Sequence, residues 1–156
     1  MGETDIGETD IGDKRALPSS ILFLCSQNAV RSPMAAGIMK QLYGSKIAID
    51  SAGIETKDTD GYAVSVMDEV GIDISQHVSV AIEANYMASF DLVICFSKAA
   101  QIYTEDICRS VATEFEFWPV YDPVNQAETR ADQLEHYRKL RDELQNALET
   151  KFTIDS

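Results

Sequence analysis

Cysteine and basic residues are both scarce in this chain. Only three cysteines occur among 156 residues, and their odd number and their spacing fit neither a disulfide framework nor a metal site. Thirteen Lys and Arg residues stand against 26 Asp and Glu residues, which gives a formal net charge of −13. A surface this acidic repels nucleic acid and anionic membranes, so we expect neither as a partner.

Long apolar runs are also missing. No stretch of the sequence approaches the roughly 18 apolar residues of a membrane span. The N-terminus lacks the basic region followed by an apolar region that marks a secretory signal. The sequence therefore predicts a cytoplasmic protein, and unpaired cysteines suit that reducing compartment.

The composition predicts one folded domain. A chain of 156 residues with 45% apolar content can bury a substantial core, and nothing in it indicates a second domain. Residues 1–18 are acidic and contain Gly-Glu-Thr-Asp-Ile twice in succession, so we expect them to form a disordered tail. Residues 19–156 are expected to form the single domain.

Short apolar runs alternate with helical patterns from residue 20 onward. The apolar runs predict strands over residues 21–25, 47–51, 90–96 and 115–118. The helical patterns predict helices over residues 33–43, 62–70, 98–109 and 131–150. This alternation predicts an α/β fold, a three-layer sandwich in which helices flank a four-stranded parallel sheet. Ligands in such folds bind beyond the carboxyl ends of the strands, where Cys25 lies.

Cys25 opens a segment that is suited to an oxyanion, Cys25-Ser26-Gln27-Asn28-Ala29-Val30-Arg31-Ser32. Amides of a tight loop and of the following helix N-terminus point positive dipoles inward, which favours phosphate. The same setting stabilises a cysteine thiolate, and an arginine fork can hold two phosphate oxygens at once. We therefore predict a phosphate-binding loop over residues 26–32, with Ser32 as the helix N-cap and Pro33 at the first helical position. An inert buried cysteine is the alternative interpretation.

Five segments of the chain resemble the low-molecular-weight protein tyrosine phosphatase family. They are residues 21–36 (ILFLCSQNAVRSPMAA), 50–53 (DSAG), 71–77 (GIDISQH), 90–94 (FDLVI) and the pair Asp122-Pro123. The resemblance covers about residues 20–152 and extends to the arsenate reductases that share this fold. It implies a phosphomonoester hydrolase of the protein tyrosine phosphatase type that acts through a cysteinyl-phosphate intermediate. It implies no metal and no cofactor.

The resemblance also assigns roles to single residues. Cys25 corresponds to the nucleophile, Arg31 to the phosphate-binding arginine and Asp122 to the general acid that protonates the leaving oxygen. A carboxylic acid must be protonated to donate, and aspartic acid titrates near pH 3.9 in model peptides, so we expect a pH optimum on the acid side of neutrality. The expected substrate is a phosphotyrosine protein or a small phosphomonoester, and the expected ligand is phosphate or arsenate.

Four short polar residues correspond to a supporting network in the family, namely Asn28, Ser32, Ser51 and His77. The resemblance implies that they hold the phosphate loop by hydrogen bonds and that Ser32 eases the departure of the thiolate. Their donors and acceptors are complementary, as a buried network requires.

Two positions inside the loop depart from the family pattern. Gln27 stands where members typically carry Gly, so the loop backbone can differ or a side chain can reach the pocket rim. Val30 stands where many members carry a second Cys. Val30 cannot form the protective disulfide with Cys25, so that route of reversible oxidation is missing.

The residues after Asp122-Pro123 also depart from the pattern. Val124 and Asn125 replace the usual pair of tyrosines. We therefore expect an aromatic wall for a phenyl ring to come from Tyr62 or Tyr121, with Gln27 at the same rim. The prediction of phosphomonoester hydrolysis does not depend on this aromatic wall, whereas a preference for phosphotyrosine does.

Arsenate reduction is the alternative reaction on this scaffold. Enzymes with an internal relay need a further thiol that reaches the first one, and the resolving cysteine of such relatives falls at Ser97 here. Cys95 is predicted to pack in the core of a strand and Cys108 in a helix. An arsenate reductase of this sequence would therefore combine Cys25 with an external thiol such as glutathione or mycothiol.

A phosphate-binding module without turnover is the remaining alternative. A binding protein needs Arg31 and the loop amides but neither a nucleophile nor an acid. The presence of Cys25 and Asp122 together therefore favours an enzyme.

Overall fold

The computed structural model describes residues 10–154. The strands are β1 (Arg15–Ala16), β2 (Ser20–Cys25), β3 (Ala48–Gly53), β4 (Leu92–Cys95), β5 (Glu114–Phe117) and β6 (Phe152–Thr153). The helices are α1 (Arg31–Tyr43), α2 (Gly61–Asp68), α3 (Ala84–Met87), α4 (Lys98–Cys108) and α5 (Arg130–Lys151). No helix within this range is long and apolar enough to cross a membrane.

Four strands form one parallel sheet in the order β3-β2-β4-β5. The predicted α/β sandwich with a four-stranded parallel sheet is confirmed, and each of its four strands and four long helices begins and ends within two residues of the prediction. In the register, Cys25 lies opposite Gly53 and Leu24 lies opposite Cys95. The carboxyl ends of β2, β3 and β4 therefore meet at one edge, where a ligand site is expected.

Successive side chains of β2 point to opposite faces of the sheet and enter two separate cores. Ile21, Phe23 and Cys25 pack on the face that α1, α2 and α5 cover. Leu22 and Leu24 pack on the other face, with buried residues from α3, β4 and α4. This alternation places the thiol of Cys25 in the same layer as the start of α1.

The sequence pattern does not predict three short elements of the structure. Helix α3 has only four residues, and β1 and β6 have two residues each. Such short segments carry no periodic pattern that could reveal them. The strands β1 and β6 pair in parallel as a separate two-stranded sheet.

The predicted disordered tail covers residues 1–18, of which residues 1–9 lie outside the described range. For residues 10–18 the structure differs from the expectation. Lys151 at the end of α5 is only 2% exposed, and its Nζ donates to the carbonyl oxygens of Ile11 at 2.6 Å and Asp13 at 2.7 Å. Pairing of β1 with β6 adds backbone hydrogen bonds. These long-range contacts are invisible in the local composition, which is why the tail was predicted too long.

Candidate active site

A cleft of about 240 Å³ opens at the carboxyl edge of the sheet. It brings together Cys25 from the end of β2, Arg31 from the start of α1, and Asp122 from the loop after β5. The other lining residues are Ser26, Gln27, Ala29, Val30 and Val124. The structure thus places the three predicted catalytic side chains and most of the predicted phosphate loop around one space.

Cys25 is 4% exposed, and its Sγ lies 2.9 Å from Ser32 Oγ. Ser32 Oγ also accepts a hydrogen bond from Asn28 Nδ2 at 2.9 Å. The hydroxyl hydrogen of Ser32 can therefore point to the sulfur or, over 3.4 Å, to the carbonyl oxygen of Ala52. A hydrogen bond donated to sulfur stabilises a thiolate, both before attack and when the sulfur departs.

Helix α1 begins at Arg31, two residues earlier than predicted. Its N-cap is Val30, and no side chain caps the first turn. The prediction of Ser32 as N-cap and Pro33 as the first helical residue is therefore wrong, because the Ser32 hydroxyl is engaged with Cys25 and Asn28. Without a side-chain cap, the first amides of α1 are open to an anion in the cleft.

Arg31 is fixed by a backbone group of the neighbouring strand. Its Nη1 donates to the carbonyl oxygen of Phe96 at 2.8 Å. Phe96 directly follows β4, and its own amide donates to Leu24 in β2. The guanidinium is thereby held at the sheet edge, and its remaining donors can grip oxygens of a bound anion.

The carbonyl groups of residues 25–30 all accept hydrogen bonds from outside the cleft. Because the N–H and C=O of a peptide unit point in opposite directions, this arrangement turns loop amides toward the cleft, as in an anion-binding nest. A carbonyl only accepts, so the contact from His77 requires the hydrogen on Nε2. The donor and acceptor pairs are Ile54 N to Cys25 O (3.1 Å), Glu55 N to Ser26 O (2.8 Å), Ser79 Oγ to Gln27 O (3.0 Å), His77 Nε2 to Asn28 O (3.2 Å), Asp60 N to Ala29 O (3.0 Å) and Met34 N to Val30 O (3.1 Å).

Asn28 is the centre of the polar contacts behind the loop. It is fully buried, and its φ of 54° lies in the left-handed region, which Asn tolerates better than most residues. Its Nδ2 donates to Ser32 Oγ and, at 3.0 Å, to Ser51 Oγ, while its Oδ1 accepts from the amide of Val80 at 3.0 Å. His77 contacts the backbone carbonyl oxygen of Asn28. Asn28 therefore connects Ser32, Ser51 and His77, the other three residues expected to form the supporting network.

Gly53 and Ser79 also shape the phosphate loop, although the sequence pattern predicts no functional role for either residue. A Cβ at Gly53 would lie 2.7 Å from the amide nitrogen of Asn28 and 2.6 Å from the carbonyl oxygen of Glu55. Ser79 accepts from the amide of Lys57 at 3.2 Å while it holds Gln27. A glycine at the end of a strand, as in Asp50-Ser51-Ala52-Gly53, indicates a close backbone approach and could have identified Gly53. No sequence feature marks Ser79.

Asp122 lies on an exposed loop, and its local geometry is set by its neighbours. Its Oδ1 accepts from the amide of Val124 at 3.1 Å, and its carbonyl oxygen accepts from Gln126 Nε2 at 3.0 Å. Asn125 adopts a φ of 57°, which reverses the chain here. The turn lies at the cleft that contains Cys25, which both Asp122 and Val124 line.

The predicted aromatic rim is not found at this cleft. Gln27 lines it as expected, but Tyr62 and Tyr121 do not. The ring of Tyr62 packs on Tyr137 of α5 with centroids 5.2 Å apart, and Tyr121 stacks on His136 of the same helix. Helix α5 therefore occupies both rings, and none of the described residues that line the cleft is aromatic.

Cys95 is remote from the reaction space. Its side chain is buried on the opposite face of the sheet from Cys25, where its Sγ contacts Thr104 Oγ1 at 3.4 Å. Burial raises the pKa of the Cys95 thiol to about 12. This placement matches the expectation of a core residue and argues against a relay of thiols through Cys95.

Cys108 is equally unsuited to a relay. Ser97, the N-cap of α4, lies beside the phosphate loop and accepts from Ser26 Oγ at 3.0 Å. Cys108 is the last residue of this 11-residue helix, about 16 Å from Ser97 at 1.5 Å per residue. Burial also raises its pKa. Among residues 10–154, no group of three or more His, Cys, Asp or Glu side chains is arranged to hold a metal ion.

The fold and the cleft together define a class of protein that binds an oxyanion on a strand-loop-helix unit and holds a cysteine at its base. The pattern of one family, described as low molecular weight phosphotyrosine protein phosphatase, matches residues 20–153. The chain belongs to this family, and the resemblance seen in the sequence is confirmed.

Relatives of this chain are named either arsenate reductase or protein tyrosine phosphatase. Arsenate reductase 1 of Staphylococcus epidermidis is 34% identical over 131 residues, which cover 84% of this chain and 93% of that protein. An arsenate reductase structure in a phosphate-binding state superposes with a TM-score of 0.65 at 34% identity, covering 84% of this chain and 94% of the other. A low molecular weight protein tyrosine phosphatase from T. tengcongensis superposes with a TM-score of 0.71 at 26% identity, covering 84% and 95%.

Proposed function

We propose that this protein is a cysteine-dependent phosphomonoester hydrolase of the protein tyrosine phosphatase type. Cys25 is the nucleophile, Arg31 and the loop amides hold the phosphoryl oxygens, and Asp122 is the general acid. The substrate is a phosphotyrosine protein or a small phosphomonoester. Membership in the family supports the reaction type, and the geometry of the cleft supports each assigned role.

The reaction has two steps. The Cys25 thiolate attacks phosphorus, the bond from phosphorus to the ester oxygen breaks, and Asp122 gives its proton to that oxygen. Water then attacks the cysteinyl phosphate, the Asp122 carboxylate accepts a proton, and the thiolate leaves with a hydrogen bond from Ser32. Arg31 and the inward amides compensate the charge on the phosphoryl oxygens throughout.

The observation that carries this proposal is that Asp122 lines the same cleft as Cys25 and Arg31. Asp122 follows Cys25 by 97 positions in the sequence, and the loop after β5 brings it to the cleft at the carboxyl edge of the sheet. An acid opposite the nucleophile serves the departure of an alcohol or phenol. A module that only binds phosphate has no use for it.

Arsenate reduction is the second candidate, and the 34% identity to arsenate reductases favours it. Cys25 would displace an oxygen of arsenate and form a sulfur–arsenic bond. Reduction of the arsenic from the +5 to the +3 state takes two electrons, which thiols supply as they become a disulfide. No second cysteine lines the cleft within the described residues, so one thiol would be external, of the glutathione or mycothiol type.

Parallel assays of the purified protein separate the two reactions. We expect hydrolysis of an aryl phosphate at mildly acidic pH, abolished in Cys25→Ser and retained in the matched variant Cys108→Ser. We expect Asp122→Asn to slow poor leaving groups most, by about 100-fold. Rapid arsenate reduction with glutathione or mycothiol, together with negligible ester hydrolysis, would overturn the proposal in favour of the second candidate.

A further inference from the structure

One buried side chain of α5 makes two hydrogen bonds with the acid loop, which we define as residues 118–129. Gln133 is only 5% exposed. Its Nε2 donates to the carbonyl oxygen of Pro123 at 2.6 Å, and its Oε1 accepts from the amide of Ala127 at 2.8 Å. Both the donor and the acceptor of the Gln133 amide therefore bind backbone groups of the loop that carries Asp122. The two contacts, at Pro123 and Ala127, flank the turn that follows Asp122.

Asp122 has no comparable anchor of its own within the described contacts. The hydrogen bonds found for its carboxylate and its carbonyl group stay inside the loop, on Val124 and Gln126. The position of the carboxylate relative to Cys25 therefore depends on what fixes the loop. Glu143 Oε1 accepts from the amide of Tyr121 at 2.9 Å before the acid, and Gln133 holds the loop after it.

The same helix is also tied to the phosphate loop. Tyr137, one turn after Gln133, donates from its hydroxyl to Asp60 Oδ2 at 2.7 Å. The backbone amide of Asp60 donates to the carbonyl oxygen of Ala29 at 3.0 Å. Helix α5 thus contacts the acid loop through Gln133. One turn later, through Tyr137, it contacts Asp60, which supports the phosphate loop.

We propose that Gln133 is a positioning residue that sets the distance between the Asp122 carboxyl and the departing oxygen. This inference rests on the proposed function, in which Asp122 protonates that oxygen. Gln133 does not line the cleft, so it acts through the loop and leaves the grip on the phosphoryl group to Arg31 and the amides. Proton transfer requires the donor within hydrogen-bond reach, and a shift of about 1 Å can cost about 100-fold in rate.

The test compares Gln133→Met with Gln145→Met. Methionine keeps the length of the side chain and removes both amide contacts. Gln145 lies on the same helix and contacts only Glu149 among the described hydrogen bonds of its side chain, which makes it the matched control. For Gln133→Met, we expect kcat/KM, which reports the steps up to departure of the leaving group, to fall about 10- to 100-fold with phenyl phosphate. With 2,4-dinitrophenyl phosphate, whose leaving group needs no proton, we expect a loss of less than about 3-fold.

Two further readouts distinguish positioning from general damage. The inhibition constant of inorganic phosphate should stay within about 2-fold of wild type, because the hydrogen bonds of Gln133 go to the acid loop and not to the phosphate loop. Amide exchange at Ala127 should rise, because its acceptor is removed. Gln133→Glu keeps the acceptor for Ala127 and loses the donor to Pro123, so it should show the same selective loss and replaces the methionine variant if that variant does not fold.

Equal losses of kcat/KM for both substrates, or a Gln133→Met variant that matches Gln145→Met, would overturn the role of Gln133 and leave the proposed function intact. A wild-type protein that hydrolyses neither ester would overturn the proposed function and the role of Gln133 with it. The two failures are therefore distinguishable by the wild-type activity alone.

Discussion

At the scale of single residues, Asn28 combines two unusual features. Its backbone is in the left-handed region, and its buried side chain uses both amide hydrogens and the carbonyl oxygen. Loss of the side chain would leave Ser51 Oγ without the Asn28 donor and the amide of Val80 without the Asn28 acceptor. Unmet polar groups in a buried site cost more than the net value of the hydrogen bonds they replace.

We predict that Asn28→Ala lowers the free energy of unfolding by about 2 to 4 kcal/mol. Asn125→Ala is the matched control, since Asn125 has a similar φ of 57° but lies exposed in the acid loop. The control should lose only about 1 kcal/mol, the cost of a left-handed alanine. Urea unfolding of both variants at neutral pH measures the difference. Equal losses would show that the buried contacts of Asn28 contribute nothing.

Residue chemistry explains which parts of the site were predictable. Cys25, Arg31 and Asp122 carry functional groups whose spacing or resemblance points to phosphate chemistry, and the structure places all three at the cleft. Gly53 acts by having no side chain, and Ser79 acts through one contact with a backbone carbonyl. Contacts of this second kind depend on the tertiary path of the chain, which a single sequence does not reveal.

At the scale of elements, the last residue of β3 and the two residues after it support the phosphate loop through backbone contacts. Gly53 stands opposite Cys25, and the two residues after it donate to the carbonyl groups of Cys25 and Ser26. A side chain at position 53 would meet backbone atoms at less than 3 Å on two sides. Backbone atoms cannot turn aside as a flexible side chain can, so the loop itself would have to move.

We predict that Gly53→Ala lowers kcat/KM for an aryl phosphate by at least about 10-fold and stability by about 2 kcal/mol. Gly61→Ala is the control at the start of α2, where an added Cβ meets nothing within 4 Å. It should leave turnover unchanged and shift stability by no more than about 0.5 kcal/mol. A fully active Gly53→Ala protein would contradict the tight packing of the loop against β3.

Helices α2 and α5 are linked by an ion pair at the end of α2. Hydrogen bonds from Arg138 and then Arg141 hold the pKa of Glu69 at about 2. Because this folded-state pKa lies below the unfolded value, the pair stabilises the fold above about pH 4.5 and loses that effect as the pH falls toward 2. The Glu69 side chain is 38% exposed, so solvent screening reduces the contribution to about 1 kcal/mol or less.

Glu69→Gln should therefore lower stability at pH 7 by up to about 1 kcal/mol and have little effect near pH 2.5. Asp106→Asn is the control, because the pair of Asp106 with Arg109 is about 70% exposed on both sides and lies within α4. It should change stability by less than about 0.3 kcal/mol at either pH. Denaturant unfolding at the two pH values checks both variants. An effect of Glu69→Gln that is equal at both pH values would contradict the linkage.

Element prediction succeeded where apolar runs were long enough to show a period. The four strands of the parallel sheet and the four long helices were all found. The start of α1 was misplaced because Ser32 looks like an N-cap in sequence, while its hydroxyl contacts Cys25 in the structure. The preference of serine for the N-cap position is a local rule. It does not hold here because the Ser32 hydroxyl forms hydrogen bonds within the site instead.

At the scale of the whole molecule, Lys151 joins the two ends of the described chain. Its Nζ contacts two carbonyl oxygens of the N-terminal segment and pairs with Glu116 at 3.0 Å. The site lies near the start of α5, whereas Lys151 is the last residue of this 22-residue helix. The helix is about 33 Å long, so the anchor of the N-terminal segment is remote from the cleft.

We predict that Lys151→Met lowers stability by about 2 kcal/mol, because three contacts of a buried ammonium are lost together. Trypsin should then cleave faster at Lys14 and Arg15, since the segment is released from α5. Turnover should stay at the wild-type level. Lys40→Met, at an exposed position of α1, is the control and should change neither property. Unchanged proteolysis in Lys151→Met would show that the anchor lies elsewhere.

The most direct measurement of the central claim is the capture of the covalent intermediate. The protein is mixed with an aryl phosphate, quenched in acid during turnover and digested, and the peptides are weighed by mass spectrometry. The account predicts one added phosphoryl group on the peptide that contains Cys25, and no hydrolysis in Cys25→Ser. Sustained hydrolysis with no phosphoryl group on Cys25, or hydrolysis that survives in Cys25→Ser, would contradict it.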